Sequence, residues 1–431
     1  MEDRIRRCIV PLLVTLAVLC GVSSIEAGGF AVPDSDVVSS GVGGASVAHP
    51  TGAASQFKNV AGLAFIDRPE LSVGGIGRVS LTDFVGASPY PGDGTLESET
   101  RTPRVLPVFG YAQPLSAHLV VGLGVDVPFD LETAWATPDA FSGRFLAQDT
   151  SFRCYSVSPS LAWKLADRLA IGGGIDVNVA TLEMQRHLAA INPFTMLRID
   201  GATLNIKSDS VVALGYRVGL LARPSEAFAI GLAYRHAAPL DLTGTASVAR
   251  IPTSSTQLDN KLAATYPPGD VAFTHTLTLP DRLTGGAAYS WNNWTLSAEV
   301  SLERWSTFDS LQLEFDNAPE LETTLATGYQ DTLPFRVGIE RQVNHAVTVR
   351  VGYSYEPTPM PVKSLSPVAF DANRHGLAVG ATFTRGTWRV DLSSGVRLSK
   401  QRTTEATNPE GFDGTYKSTA PFLGAAITRG F

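Results

Sequence analysis

The stretch that decides the fold reads WTLSAEVSLE and spans residues 294–303. Its even-numbered positions are all apolar, whereas its odd-numbered positions are Thr, Ser or Glu. Successive side chains of a β-strand point to opposite faces, so this pattern predicts a strand with one apolar and one polar face. The same alternation recurs at residues 154–165, 228–235, 347–356, 377–384 and 388–398. The sequence therefore predicts an all-β protein.

Two further features favour a transmembrane barrel over a soluble sandwich, which also alternates. The first is aromatic residues near strand ends, as in interfacial girdles: Trp163, Trp291, Trp294, Trp305, Tyr355 and Trp388. The second is that short and long connections alternate. The expected strands begin near residues 70, 104, 118, 151, 169, 202, 228, 271, 293, 333, 346, 374, 388 and 415. We therefore predict an antiparallel barrel of about 14 strands with both ends on the periplasmic side.

The composition agrees with a membrane barrel and excludes several other classes. Charged residues make up 17% of the chain, below the roughly 25% of soluble domains. The hydrophobic fraction of 44% is too high for a disordered chain. No basic block is present, so nucleic acid is not an expected partner. No uninterrupted apolar run in the mature chain is long enough for a transmembrane helix.

The first 27 residues are expected to be a removable signal peptide. A basic start (4–7) precedes an apolar run (9–22) and small residues (23–27). Cleavage would leave Cys154 as the only cysteine, so no internal disulfide is expected. We predict export and an outer-membrane location in a Gram-negative bacterium.

Residues 28–68 do not alternate and are interpreted as a hatch that plugs the barrel of residues 69–431. Small residues dominate 39–48 and 52–55, which suits short helices packed closely on the wall. Apolar side chains such as Phe57 need a burial site, and the barrel lumen is the one available.

Short motifs spread over the whole mature chain resemble the FadL/TodX family of outer-membrane transporters of long-chain fatty acids and hydrophobic compounds. They are Gly28-Gly29-Phe30, Ser39-Ser40-Gly41, Asn59 to Ala64, Asp67-Arg68-Pro69, Leu279-Pro280, Trp305 to Phe308, Phe335 to Gly338, Tyr353 to Pro361 and the terminal Phe431. The resemblance implies a hatch-filled barrel of fourteen strands. It also implies capture among external loops, a lumenal pocket touching the hatch, and sideways exit at a kinked third strand.

The resemblance assigns roles to four hatch residues. Phe30 matches an aromatic residue that reaches the lumenal ligand, although a packing role is the alternative. Asn59 and Ala61 match the gate motif, for which helix capping is the alternative. The family's Asn-Pro-Ala is Asn59-Val60-Ala61 here, so Val60 replaces a residue with a fixed φ.

A break in strand pairing is expected at Pro128, late in the third strand, because proline has no N–H to donate. In the family this break is the lateral exit. Gly122 or Gly124 is an alternative position for it, and a simple strand end is the other interpretation.

The long loop near residue 193 carries the apolar residues Ile191, Phe194, Met196 and Leu197. Exposed apolar residues in a loop suggest a hydrophobic capture groove. A small loop core is the alternative.

Charged residues on the polar strand faces are interpreted as a paired network that braces wall and hatch. They are Arg235, Glu299, Glu303, Arg336, Glu340, Arg350, Arg389, Asp391 and Arg397. An arginine that meets a substrate carboxylate is the alternative for one of them. No His spacing suggests a metal site, no cofactor is implied, and the catalytic motifs sought are absent from the sequence.

The sequence thus predicts a channel, not an enzyme, for passive uptake of long-chain fatty acids or hydrocarbons. Outer-membrane lipid, lipopolysaccharide and the barrel-assembly machinery are the other expected partners. The competing hypotheses are a polar-solute porin, a structural or adhesive surface barrel and a barrel enzyme.

Overall fold

A computed structural model describes residues 29–33, 36–193, 195–253, 255–266, 269–308, 310–316, 318, 321, 323–404 and 411–431. The predicted signal peptide (1–27) and Phe194 lie outside the described residues. No helix in the part of the chain that the structure describes is long and apolar enough to cross a membrane.

Within these residues, fourteen strands form a closed antiparallel barrel, which confirms the predicted fold class. They are β1 Glu70–Arg78, β2 Arg104–Pro114, β3 Leu119–Ala134, β4 Asp149–Ala166, β5 Leu169–Ile191, β6 Val211–Ala222, β7 Phe228–His236, β8 Arg282–Trp291, β9 Trp294–Glu303, β10 Phe335–Asn344, β11 Val347–Glu356, β12 Arg374–Arg385, β13 Trp388–Ser399 and β14 Gly414–Gly430. Each strand pairs with the next, and β14 closes the barrel on β1 in the register Glu70↔Gly430.

The wall is apolar outside and polar inside. In β9 the polar residues Ser297, Glu299, Ser301 and Glu303 are buried, while the apolar residues between them are only half-buried. Outward apolar residues of other strands are exposed, for example Val351 at 55%. An exposed apolar belt is what a lipid bilayer requires of a barrel wall.

Above the barrel, β5 continues into a sheet built from the external loops. Its further strands are Arg198–Ser208, Leu240–Arg250, Gly269–Leu277, Ser310–Phe315 and Thr323–Thr327. The other external elements are the strands Leu81–Gly86, Leu96–Ser98 and Arg402–Thr403, the helix Thr256–Thr265 and the short turns Trp305–Thr307 and Val362–Ser364.

Two expected strand starts, at residues 202 and 271, are therefore wrong as wall strands. Both fall in the external sheet, and the wall strands begin at Val211 and Arg282. The external sheet also has one buried face, to which Leu204 and Phe273 belong, so it alternates as the wall does.

The hatch region contains helix α1 (Val37–Gly41) and the 3-10 helices Ala53–Phe57 and Val60–Phe65. Asp36 caps α1 by accepting a hydrogen bond from the backbone N–H of Ser39. These elements pack against the inner face of the wall, where glycine allows close contact. A Cβ atom on Gly172 would lie 2.7 Å from the backbone of Val60.

Candidate functional site

The wall is interrupted at β3. Pairing between β2 and β3 runs from Pro114↔Val120 to Phe109↔Val125 and goes no further. Pairing between β3 and β4 shifts register between Asp126 and Phe129, on either side of Pro128. Residues 126–130, the bend of β3, are all buried, and from Phe129 onwards the strand is paired with β4 but no longer with β2.

The N-terminal residues pair with this bend. The Val32 N–H donates to the Pro128 carbonyl at 2.8 Å, and the Asp130 N–H donates to the Phe30 carbonyl at 3.0 Å. Ala31 forms a β-bridge with Phe129. Residues 30–32 therefore act as a short extra strand inside the barrel.

Apolar side chains fill the gap that the bend leaves between β2 and β3. Val32 of the hatch, Leu106 of β2 and Val127 of β3 form one buried cluster. Val32 of the hatch therefore covers the wall where β2 and β3 are not paired.

Gly122 and Gly124 do not interrupt the sheet. They pair regularly with Ala112 and Gly110 of β2. A Cβ atom on Gly122 would lie 2.6 Å from Leu63, and one on Gly124 would lie 2.6 Å from Phe57. Because they have no side chain, they let Leu63 and Phe57 of the hatch pack closely against the wall.

Asp130 joins the bend to three neighbouring strands. Its buried carboxylate accepts hydrogen bonds from Arg78 of β1 at 2.6 Å, Arg104 of β2 at 2.9 Å and Arg153 of β4 at 3.0 Å. Arg104 is also ion-paired with Glu132. Sequence reasoning did not single out Asp130, although its position two residues after Pro128 was a usable signal.

Phe30 lies among four aromatic rings in edge-to-face contact, which is a favourable aromatic geometry. The ring centroids are 4.9 Å from Trp305, 5.6 Å from Phe152, 5.7 Å from Phe308 and 6.1 Å from Phe129. Phe30 therefore packs among aromatic rings and also borders a cavity.

That cavity, the apolar cavity, is lined mainly by apolar side chains, which include Phe30, Leu131, Phe152, Leu182, Leu277 and Met360. A concave space with a mostly apolar lining is typical of a small-molecule site.

A second and larger space, the charged cavity, meets the apolar cavity at Phe30 and Leu131. Its lining includes Arg78, Arg104 and Asp130. Its external wall includes Glu99, a loop residue whose burial raises its pKa to about 7. The charged cavity lies beside the gap between β2 and β3.

An external loop fixes the first described residue of the hatch. The Gly29 N–H donates to Asp371 at 3.0 Å, and Arg374 donates to both Asp371, at 3.0 Å, and the Gly29 carbonyl, at 2.9 Å. Burial raises the pKa of the Asp371 carboxyl. Hatch, loop and wall therefore meet at one polar contact.

Asn59 lies at the periplasmic end of the hatch and makes three hydrogen bonds. Its side-chain oxygen accepts from the Ala61 N–H at 3.1 Å, which caps the helix Val60–Phe65. Its side-chain nitrogen donates to the carbonyls of Val47, at 2.9 Å, and Leu220 of β6, at 3.0 Å. Val60 is the first helical residue, a position that also accommodates proline.

The described apolar residues of the external tip, residues 191–198, are exposed. Ile191 is 50% exposed, Met196 74% and Leu197 65%. Ile191 pairs with Arg198, which closes the hairpin below the tip.

The inward charges are paired, as the bracing interpretation expects. The ion pairs are Arg235 with Asp126 and Asp176, Glu299 with Lys58 and Arg336, Glu303 with Arg282, Glu340 with Arg350, Arg389 with Asp391, and Arg397 with Glu356. Lys58, Asp126 and Asp176 were not singled out from the sequence, because their partners lie on distant segments. Among the described residues, no group of three or more His, Cys, Asp or Glu could hold a metal ion.

The plugged barrel, with an apolar belt outside and an apolar cavity inside, defines the protein as an outer-membrane transport protein. The chain belongs to the outer membrane protein transport protein family (OMPP1/FadL/TodX), whose model matches residues 18–431. This confirms the predicted family and outer-membrane location, and the family is one of transport proteins and not of enzymes.

Curated relatives and solved structures agree with this assignment. The long-chain fatty acid transport protein of Escherichia coli O6:H1 is 22% identical over 348 residues, which cover 76% of each chain. Outer membrane protein P1 of Haemophilus influenzae is 21% identical over 64% of this chain and 62% of its own. A Pseudomonas aeruginosa FadL homologue shares the fold with a TM-score of 0.79, at 18% identity over 94% of this chain and 100% of its own. The Pseudomonas putida toluene transporter TodX shares the fold with a TM-score of 0.70, at 19% identity over 94% of this chain and 99% of its own.

Proposed function

We propose that the protein takes up hydrophobic small molecules, either long-chain fatty acids or hydrocarbons, across the outer membrane without an energy source. One observation carries this proposal: the apolar cavity ends on Phe30, and the backbone of Phe30 is hydrogen-bonded to the bend of β3. A ligand in the cavity therefore contacts the segment that closes the wall. Relatives named for fatty acid and toluene transport support the substrate class.

In the proposed first step, the external tip captures the ligand. Ile191, Met196 and Leu197, with Phe194 beside them in sequence, offer apolar surface outside the membrane. Water is released when an apolar molecule binds such a surface, which makes capture favourable.

In the second step, the ligand enters the apolar cavity and displaces Phe30. Residues 30–32 then separate from the bend at Pro128, and Val32 leaves its cluster with Leu106 and Val127. The gap between β2 and β3 opens, and the ligand leaves sideways into the bilayer.

The periplasmic end of the hatch, residues 59–61, directs the ligand towards this exit. Asn59, Val60 and Ala61 are buried at 1% exposure or less and hold the periplasmic end of the lumen closed. Gly122 and Gly124 assist by letting Leu63 and Phe57 pack tightly on β3. A polar-solute porin would need an open lumen in place of this packing.

Replacing Ile191, Phe194, Met196 and Leu197 by serine is expected to lower uptake about tenfold at limiting substrate. A tenfold loss corresponds to about 1.4 kcal/mol, less than the burial of one large apolar side chain contributes. Initial rates with a radiolabelled fatty acid or aromatic hydrocarbon measure the effect. Leu96→Ser, at an external residue 76% exposed, is the matched control and should leave the rate unchanged. Equal rates in the tip variant and the control would remove the tip from the mechanism.

Native mass spectrometry of the protein extracted gently from its own outer membrane tests the function as a whole. We expect a co-purified apolar molecule, because the lining of the apolar cavity is mainly apolar. Ion conductance in planar bilayers without any saturable binding of apolar molecules would instead favour a porin. Absence of both binding and conductance would favour a surface scaffold.

A further inference from the structure

A third internal space lies between the hatch and the wall, on the periplasmic side of the apolar cavity. We call it the basic cavity, and its charged lining consists of Lys58 of the hatch with Arg217, Arg235, Arg282 and Arg336 of the wall. Its volume is about 40 Å³, and it shares no lining residue with the apolar or the charged cavity.

The lining of the basic cavity carries positive charge only. The carboxylates that pair with it, Asp126, Asp176, Glu299, Glu303 and Glu356, do not line the cavity. Burying cations is costly unless nearby charge and hydrogen bonds compensate them fully.

The positive charges of the lining are least completely compensated by carboxylates around Glu299. Its Oε2 atom accepts hydrogen bonds from the backbone N–H groups of Ser46 and Val47, at 3.0 and 3.1 Å. Its Oε1 atom is shared by Lys58 and Arg336, each at 3.4 Å. The Lys58 ammonium, which has three donors, thus makes one long contact to a shared oxygen. Arg336 adds a hydrogen bond to Ser301 at 3.2 Å and a 4.0 Å contact with Glu356, which still leaves its five donors incompletely paired.

Two guanidinium nitrogens of the lining have no hydrogen-bond partner. Nε of Arg336 and Nη2 of Arg235 are both buried and unsatisfied in the structure. Arg336 is only 2% exposed. Buried unsatisfied donors call for a bound water or ion, and an anion is favoured because every charged side chain that lines the cavity is basic.

We propose that the basic cavity binds one small inorganic anion, such as chloride, between the hatch and the wall. The anion accepts hydrogen bonds from the unpartnered nitrogens of Arg336 and Arg235 and lies near Lys58. It links the hatch to β7 and β10 and so stabilises the plugged barrel. The proposal does not depend on which hydrophobic molecule the protein carries, or on whether it carries one.

Bromide replaces chloride in the test because its position is visible by anomalous diffraction. Crystals of the mature protein grown in sodium bromide are expected to show one anomalous peak inside the basic cavity. The same crystals of Lys58→Met should lose or weaken that peak. Density without anomalous signal, which would identify water, overturns the proposal.

Thermal unfolding in detergent gives a second, independent measurement. At constant ionic strength, the wild-type midpoint is expected to be about 3 °C higher in sodium chloride than in sodium gluconate, whose anion is too large for the cavity. Lys58→Met should abolish the difference. His49→Gln, in the hatch but paired with Glu340 outside the basic cavity, should retain it. Equal wild-type midpoints in the two salts, or a difference that persists in Lys58→Met, would contradict the proposal.

Discussion

Joining helix α1 to the wall by a disulfide is expected to reduce uptake to less than about a tenth of the wild-type rate. The variant is Val37→Cys with Gly424→Cys. A Cβ atom on Gly424 would lie 3.4 Å from Cγ1 of Val37, which is close enough for a disulfide after small adjustment. The proposed exit needs residues 30–32 to separate from the bend of β3, and the crosslink restrains this segment because it fixes the chain shortly after it. Uptake is measured before and after reduction with dithiothreitol, which should restore it.

A crosslink within the wall is the matched control. Leu377→Cys with Val396→Cys joins directly paired residues of β12 and β13, and uptake should persist when this pair is oxidised. The two single-cysteine variants of α1 and β14 should also transport normally. If mass spectrometry shows a complete Val37–Gly424 crosslink and uptake is unchanged, the hatch does not need to move.

Filling the apolar cavity is expected to lower the affinity for apolar ligands at least about tenfold. Ala369→Trp places a large ring in the cavity from the external loop 357–373, so the wall strands are not disturbed. The ring occupies space that the ligand needs, and overpacking opposes readjustment. Titration of purified protein with a fluorescent fatty acid or a naphthalene probe measures the dissociation constant.

Two substitutions separate cavity filling from general damage. Ala369→Ser changes the same residue without adding bulk and should bind normally. Ala140→Trp adds the same ring at an exposed external residue and should also bind normally. Unchanged affinity in Ala369→Trp would show that the ligand binds elsewhere.

The sequence was sufficient for the barrel because each wall strand carries its own signal. Alternation over residues 294–303 is local and requires no knowledge of the neighbouring strands. The same locality explains the errors at residues 202 and 271, because an external sheet with one buried face alternates identically. Alternation along one strand does not indicate whether that strand lies in the membrane or outside it.

The site was only partly predictable from the sequence, because most of its contacts join distant segments of the chain. The missing N–H of Pro128 is a local property, and the pairing is interrupted there. The short strand of residues 30–32 is too brief to show alternation, and its partner lies about a hundred residues away. The acidic partners of Arg235 and the link from Lys58 to Glu299 depend on how distant segments meet, which spacing along one chain does not encode.

The contacts of α1 also bear on biogenesis. This helix packs against β11, β12 and β13, and against β14 and β1, the two strands of the closing seam. The helix Val60–Phe65 packs instead on β3 to β6, on another part of the circumference. A plug held by strands on both sides of the closing seam is expected to be enclosed as the ring closes and not inserted afterwards. We therefore expect deletion of residues 29–66 to impair assembly of the barrel. This assembly defect would precede any measurable loss of transport.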